Sequence, residues 1–184
     1  MRSSGPSEST LEAVRETFIR KRQMWLESAS RQNLEHHLAT LQTTATIRKI
    51  VCFGLGSPGR LCGYHCTRVH TQHAAVETMV ASLAMRGLNG RQEIKCYAQD
   101  PVYDEIDKEF LASIGITPLD DPKGFLEVDE HTLVFSVSPN VPVKQIVTDL
   151  QWPAAMIWNT VTPAQKDKSW VKRVEKNGTI GWTW

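Results

Sequence analysis

Hydrophobic residues recur at helical spacing in the first part of the chain. The residues of a first stripe are Leu11, Val14, Phe18 and Trp25. The residues of a second stripe are Leu34, Leu38 and Leu41. Because residues three or four apart share one side of a helix, residues 10–45 are predicted to form two amphipathic helices. We expect these helices to pack on the main domain as an N-terminal extension, preceded by a disordered tail over residues 1–9.

From residue 46 onward, short apolar runs alternate with helical patterns. The runs typical of buried strands are residues 50–53, 94–98, 116–119, 133–137 and 155–158. The helical patterns cover residues 66–86, 101–111 and 143–150. This alternation indicates parallel β-α-β crossovers. Residues 46–162 are therefore predicted to form an α/β domain, a three-layer Rossmann-like fold with a mostly parallel sheet, and residues 163–184 a C-terminal tail.

Length and composition are those of an ordinary globular protein. The chain has 184 residues, of which 41% are hydrophobic and 22% charged, enough for one domain with its own core. No apolar run approaches the roughly 20 residues that cross a bilayer, and the N-terminus lacks the apolar segment of a signal peptide. We expect a cytoplasmic or nuclear protein with no membrane partner, whose four cysteines are reduced.

A net charge of +1 hides a marked segregation of charge. Residues 1–49 hold eight Lys/Arg and five acids, and residues 163–184 hold five Lys/Arg and two acids. Residues 94–130 hold three lysines and ten acids. An acidic middle could orient a basic ligand and basic ends could contact a polyanion, whereas chance scatter of surface charge is the alternative interpretation.

The sharpest motif is the glycine loop, residues 54–59, which directly follows the first predicted strand. Its sequence, Gly-Leu-Gly-Ser-Pro-Gly, matches the phosphate-binding pattern G-x-G-x-x-G. A dinucleotide is disfavoured, because no helix opens at the third glycine and the expected ribose-binding acid is missing about 20 residues on. Ligands nevertheless collect at the carboxyl ends of parallel strands, so we expect Gly54, Gly56, Ser57 and Gly59 to form the floor of a ligand site. A plain turn between strand and helix is the alternative.

Polar residues also follow the other predicted strands. These residues are Asp100, Tyr103, Asp120, Asp121, Ser136, Ser138, Asn140 and Asn159. Because the carboxyl ends of parallel strands share one edge of a sheet, we expect them to line a pocket. Asp100, Asp120 and Asp121 are expected to converge there and to bind a guanidinium group.

A cluster of cysteine and histidine residues invites a metal interpretation. The cluster consists of Cys62, His65, Cys66, His70 and His73. Two cysteines without a second pair do not make a zinc-finger pattern, so no metal is predicted and buried thiols and imidazoles are favoured. His73 remains a candidate ligand-binding residue.

Several short blocks together resemble the SRR1-like domain in its fungal form. The blocks are residues 51–57, 72–74, 96–103, 121–125, 132–135 and 157–159. They span about residues 47–162, most of the chain. The resemblance implies a half-Rossmann α/β layer and a link to light or circadian signalling, with no settled biochemistry.

A second resemblance is to fungal arginine-containing cyclodipeptide synthases, which condense two aminoacyl-tRNAs into a diketopiperazine. That group is associated with an Asp-Asp-x-x-Glu motif, to which Asp120-Asp121-Pro122-Lys123-Gly124 is the nearest match here. It implies a tRNA contact through the basic ends and a reaction that needs neither ATP nor a metal, because the acyl ester is already activated. On this hypothesis Asp100, Tyr103, Asp120 and Asp121 position the reacting amine. The alternative hypothesis is a non-catalytic, ligand-binding regulatory protein.

Overall fold

A computed structural model of the chain describes residues 10–43, 45–60, 63–86, 92–137, 139–159, 171–174 and 180–183. The two predicted N-terminal helices are present as α1 (Leu11–Leu26) and α2 (Ala29–Thr40). Each begins where a hydroxyl side chain accepts a hydrogen bond from a first-turn amide, at Thr10 for α1 and at Ser28 for α2. Val14, Phe18 and Trp25 of the α1 stripe are buried, and the helix contacts the helices that follow the first two strands.

Five strands form one sheet, and all of them are parallel. The strands are β1 (Lys49–Phe53), β2 (Lys95–Gln99), β3 (Thr117–Leu119), β4 (Thr132–Ser136) and β5 (Ala155–Trp158). Their order is β3-β2-β1-β4-β5. The chain therefore moves outward from β1 to β3, then returns to the other side of β1. This doubly wound order confirms the predicted α/β, Rossmann-like class, with its topological switch point between β1 and β4.

Helices cover the two faces of the sheet unequally. The helices that follow β1, β2, β3 and β4 are α3 (Gly63–Ala84), α4 (Glu105–Ser113), α5 (Lys123–Leu126) and α6 (Val143–Leu150). We call the face covered by α1 to α4 the first face, and the face covered by α5 and α6 the second face. The first face holds the larger core, which includes Phe18 and Phe110 in edge-to-face contact.

Hydrogen bonds fix the N-terminal extension to α3. The Trp25 indole donates to the Thr78 hydroxyl over 2.9 Å in the buried contact between α1 and α3. At the end of α3 the Arg86 guanidinium donates to the carbonyls of Leu38 and Leu41 over 2.6 and 2.7 Å. Leu38 lies in the last turn of α2 and Leu41 is its C-cap residue, so both bonds hold the end of that helix. The extension is thus part of the packed domain.

Four elements differ from the sequence-based expectation. Helix α4 begins at Glu105, not at Pro101, because Asp104 caps it through a reciprocal capping box with Asp107. Helix α5 has only four residues, too few to give a periodic signal. Strands β6 (Val171–Val174) and β7 (Ile180–Thr183) pair antiparallel in the segment expected to be a tail.

Cys52, Cys66 and Cys96 are free thiols. Burial raises the pKa of the Cys52 thiol, and its contact with Cys96 adds to the rise. Across the described ranges, no helix combines the length and hydrophobicity required of a membrane span.

Candidate functional site

The glycine loop leaves β1 at the switch point and turns back toward α3. Gly54 and Gly56 have φ values of 72° and 79°, in the left-handed region that only glycine adopts readily. A Cβ atom on Gly56 would lie 2.9 Å from Cγ2 of Val69 on α3. The second glycine therefore serves both the turn and the close approach of the loop to the helix.

Asp100, at the exit of β2, holds this loop in place. Its Oδ2 atom accepts a hydrogen bond from the Gly56 N–H over 2.8 Å, and its Oδ1 atom accepts from the Val102 N–H over 3.2 Å. The carboxylate thus ties the β1 exit to the β2 exit. Each oxygen still has lone pairs beyond those two bonds, and the side chain is only partly buried.

Asp107 performs a similar task one turn into α4. Its side chain is fully buried, and Oδ1 accepts from the Gly59 N–H over 2.7 Å. Burial raises the pKa of this carboxyl group, while hydrogen bonds from Ser57, Gly59 and Asp104 act in the opposite direction. Sequence reasoning missed Asp107, although the spacing Asp104-x-x-Asp107 is that of a capping box.

These contacts change the interpretation of the glycine motif. A phosphate-binding loop offers its backbone N–H groups to the ligand. Here the amides of Gly56 and Gly59 already donate to carboxylates of the same chain. A phosphate would have to displace or approach those negative charges, so the geometry gives the dinucleotide hypothesis no support.

A cleft of about 220 Å³ opens beside the loop at the carboxyl edge of the sheet. We call it the carboxyl-edge cleft. Its lining residues are Gly54, Leu55, Gly56, Arg68, Val69, Gln72, Asp100, Val102 and Asn140. In the amide orientation that satisfies both neighbours, Gln72 donates to the Leu55 carbonyl over 2.8 Å and accepts from Arg68 Nε over 3.1 Å. One cleft thus brings together a guanidinium, a carboxylate and two side-chain amides.

Four of the predicted site residues line this cleft: Gly54, Gly56, Asp100 and Asn140. Sequence reasoning missed Arg68 and Gln72, which lie one helical turn apart on α3. Their position along the chain could have indicated them, because the first half of the helix after β1 runs beside the carboxyl ends of the strands. Ser57 and Gly59 lie instead at the Asp107 carboxylate, behind the loop.

Tyr103 and His73 are placed inside the first-face core, outside the cleft. The Tyr103 hydroxyl is buried and has no hydrogen-bond partner among the described residues. Burial, with the nearby Asp100 carboxylate, raises its pKa well above the ordinary value, so it stays protonated at neutral pH. His73 is buried, and its Nδ1 lies 2.8 Å from the Val69 carbonyl oxygen. Burial lowers its pKa to about 4, in spite of that bond.

The acidic pair after β3 does not line the cleft with Asp100. Asp121 accepts from the Gln99 side-chain amide over 2.7 Å, and Gln99 in turn accepts from the Gly124 N–H over 2.6 Å. Asp120 is exposed and lies 3.4 Å from the Lys123 ammonium. Asp120 and Asp121, which the sequence analysis expected to converge with Asp100, are therefore not among the residues that line the carboxyl-edge cleft.

The departure from the Asp-Asp-x-x-Glu motif has a structural basis at Gly124. Gly124 stands where the motif has glutamate, and a Cβ atom there would lie 2.7 Å from Gln99 Oε1 and 3.1 Å from the Phe53 ring, so a side chain would require these neighbours to shift. The next acid, Glu127, lies 3.7 Å from Lys49 at the opposite end of the strands.

The remaining predicted residues follow β4 and β5. Ser136 is buried at the end of β4. The Asn159 side-chain amide donates to the Val137 carbonyl, which joins the exits of these two strands. Ser138 lies outside the described residues. Among the residues that the structure describes, no group of three or more His, Cys, Asp or Glu side chains could hold a metal ion.

The fold and cleft define a doubly wound α/β domain with a small polar site at its switch point. The chain matches the SRR1 domain over residues 21–179 and belongs to that family. The match begins within α1, so it includes most of the N-terminal extension. Neither the curated proteins nor the solved structures searched gave a significant match.

Proposed function

We propose that this SRR1 domain binds a small zwitterionic molecule, of amino-acid size, in the carboxyl-edge cleft. The observation that carries the proposal is the presence of Arg68 and Asp100, two opposite charges from different elements, in one cleft of about 220 Å³. Drug-sized ligands occupy about 300–1,000 Å³, so the space favours a smaller molecule. Its place at the switch point is where doubly wound sheets bind ligands.

The chemistry of the lining matches the two ends of an amino acid. A guanidinium group binds a carboxylate through two parallel hydrogen bonds, which is the role we give Arg68. The remaining lone pairs of the Asp100 carboxylate can accept from an ammonium group. The amides of Gln72 and Asn140 supply further polar contacts.

Calorimetric titration of the folded chain with the standard L-amino acids tests this proposal. For the amino acid that binds most tightly, we expect its decarboxylated amine and its deaminated acid to bind at least tenfold more weakly. Arg68→Met and Asp100→Asn should each weaken binding by about 1.5–3 kcal/mol, roughly one to two decades. The matched controls Arg15→Met and Asp120→Asn change exposed charges outside the cleft and should leave affinity unchanged. Absence of binding by every amino acid would refute the proposal.

An aminoacyl-transfer enzyme is a second candidate function. An aminoacyl ester carries the same amino group and a carbonyl in place of the carboxylate, so Asp100 would hold the amine of a tRNA-bound amino acid. Exposed Arg15 and Arg20 on α1 favour a polyanion near the N-terminal extension. In this candidate function, the protein would catalyse the tRNA-dependent synthesis of an arginine-containing cyclodipeptide.

Expression of the chain in a host with ordinary tRNAs distinguishes the enzyme from a regulatory binding protein. The enzyme hypothesis predicts a new cyclic dipeptide in the culture extract, lost in Asp100→Asn and retained in Asp120→Asn. An unchanged extract, together with amino-acid binding by calorimetry, would support a non-catalytic ligand-binding protein of the kind implied by light or circadian signalling.

A further inference from the structure

A second and larger cleft lies at the other end of the strands. Its volume is about 640 Å³, and it is lined from the starts of β1 and β2 and from the segment before β4. We call it the amino-edge cleft. It shares no lining residue with the carboxyl-edge cleft.

The cleft exists because the second face is covered only in part. Val51 and Phe53 on β1 and Val134 on β4 are buried against Phe125 of α5 and Val143 and Val147 of α6. Side chains on a strand alternate between faces, so Lys49 shares the second face with Val51, and Lys95 shares it with Tyr97. These earlier positions line the cleft.

The charges of the cleft divide into a paired and an unpaired set. The Lys49 ammonium lies 2.9 Å from Asp129 and 3.7 Å from Glu127, so two carboxylates compensate it. Lys95 and Arg48 are exposed, and neither side chain forms an ion pair within the described part of the chain. Lys49 and Lys95 occupy directly paired positions on β1 and β2, an arrangement of like charges that costs stability. The carboxylate of Glu93, on the rim, is the one opposing charge in the unpaired set.

An aromatic ring lies beside these cations. Tyr97 is half-buried on the open part of the second face, two residues beyond Lys95. An exposed aromatic face on a sheet is a surface on which planar rings stack. A ring surface next to two uncompensated cations suits a ligand with a planar ring and an anionic group.

We propose that the amino-edge cleft binds a phosphorylated ligand of the mononucleotide class, with its base on Tyr97 and its phosphate at Lys95 and Arg48. A phosphate monoester carries about −1.5 to −2 charges at neutral pH, and Lys95 and Arg48 are the cations of the cleft that form no ion pair with a described residue. The volume is within the range of small-molecule sites. Phosphate recognition is thus placed away from the glycine loop, whose amides donate to carboxylates.

Titration of the full chain with AMP, adenosine and inorganic phosphate, followed by calorimetry and by amide chemical shifts, tests this proposal. We expect AMP to bind, and each fragment to bind at least tenfold more weakly. Lys95→Met should weaken AMP at least tenfold and leave adenosine unchanged. Tyr97→Leu should weaken AMP and adenosine and leave phosphate unchanged, and Glu93→Gln should strengthen AMP.

The matched control is Lys123→Met, which removes an exposed lysine from α5 outside the cleft and should leave AMP affinity unchanged. Thermal midpoints of all variants show whether they fold. If Tyr97→Leu does not fold, the AMP affinity of Lys95→Met still tests the proposal. No AMP binding at millimolar concentration would overturn the proposal, as would equal losses in Lys95→Met and Lys123→Met. Amide shifts at Gly56 and Val102 in place of Lys95 and Tyr97 would assign phosphate to the glycine loop and overturn it too.

Discussion

The two faces of the sheet solve the problem of burial in different ways. Four helices seal the first face, and the polar groups beneath them, His70, His73 and the Tyr103 hydroxyl, are buried in uncharged form. The second face has two short helices, and its charged residues Lys49 and Lys95 lie at the edge of the sheet, where Lys49 contacts two carboxylates. The first face carries the larger hydrophobic core, whereas the second face is covered in part and has an open cleft.

The largest expected effect is a loss of unfolding free energy, which should differ between a phenylalanine on the first face and one on the second. Phe110 on α4 is fully buried and contacts Phe18, His70 and His73, so Phe110→Ala should cost about 3–5 kcal/mol of unfolding free energy. Phe125 belongs to the four-residue helix α5, stacks on Phe53 and is slightly exposed. We expect Phe125→Ala to cost about 2 kcal/mol, because solvent can reach the vacated space. Urea unfolding measures both, and equal losses would contradict the contrast.

The buried imidazoles of the first face predict a loss of stability in mild acid. Burial lowers the pKa of His73 to about 4, and burial with the charge of His73 lowers the pKa of His70 to about 4. Because the unfolded chain binds protons near pH 6.5 and the folded chain does not, stability is complete above pH 6.5 and falls as the pH drops toward 4. At 1.36 kcal/mol per pKa unit, His73 alone accounts for about 3 kcal/mol.

Unfolding free energies at pH 7 and pH 4.5 check this prediction. His70→Leu and His73→Leu should each reduce the difference between the two pH values, whatever they do to stability at pH 7. An unchanged difference in both variants would show that the imidazoles are not the titrating groups.

A glycine on the second face gives a smaller effect. Gly124→Ala should cost about 1–3 kcal/mol, because the new methyl group would lie 2.7 Å from Gln99 Oε1. Gln99→Ala removes that oxygen, so Gly124→Ala should cost less in a Gln99→Ala chain than in the wild type. A double-mutant cycle of unfolding free energies measures the coupling, and strict additivity would rule out the clash.

The smallest effect concerns the lysine pair at the amino edge. Lys49→Met removes an ion pair with Asp129 and should cost about 0–1 kcal/mol. Lys95→Met removes a charge with no ion-pair partner among the described residues and relieves its repulsion from Lys49. We expect it to be neutral or slightly stabilising, with the difference between the two variants shrinking at 1 M salt. A larger loss of unfolding free energy in Lys95→Met than in Lys49→Met would contradict the view that Lys49 is ion-paired and Lys95 is not.

The fold was largely predictable because its elements carry strong periodic signals. The apolar run at residues 50–53 and the helical stripe of α3 each specify their element locally, and their alternation specifies a parallel sheet. Helix α5 was missed because four residues show no period. The start of α4 was placed too early, since a proline is permitted in a first turn but the Asp104–Asp107 capping box decides where the helix begins.

The site was less predictable, because it depends on which neighbour each polar group finds. Asp100 follows β2 directly and lines the cleft, a position that the exit of a parallel strand fixes. Tyr103 follows it by three residues, yet its side chain turns into the core, which no local pattern specifies. Arg68 lies near the start of a predicted helix, where a charged residue is ordinarily solvated, so its place in the cleft was not predicted.

Amide chemical shifts of the isotope-labelled chain, titrated with the L-amino acid that binds most tightly, test the central claim most directly. The amide of Gly56 donates to Asp100, and so does that of Val102, so both report on any change at that carboxylate. We predict saturable shifts at Gly54, Gly56 and Val102, which in Asp100→Asn require a roughly ten- to hundredfold higher concentration of the amino acid, with no change at Lys95 or Tyr97. Shifts confined to Lys95 and Tyr97, or no saturable shift at all, would contradict an amino-acid site at the carboxyl edge.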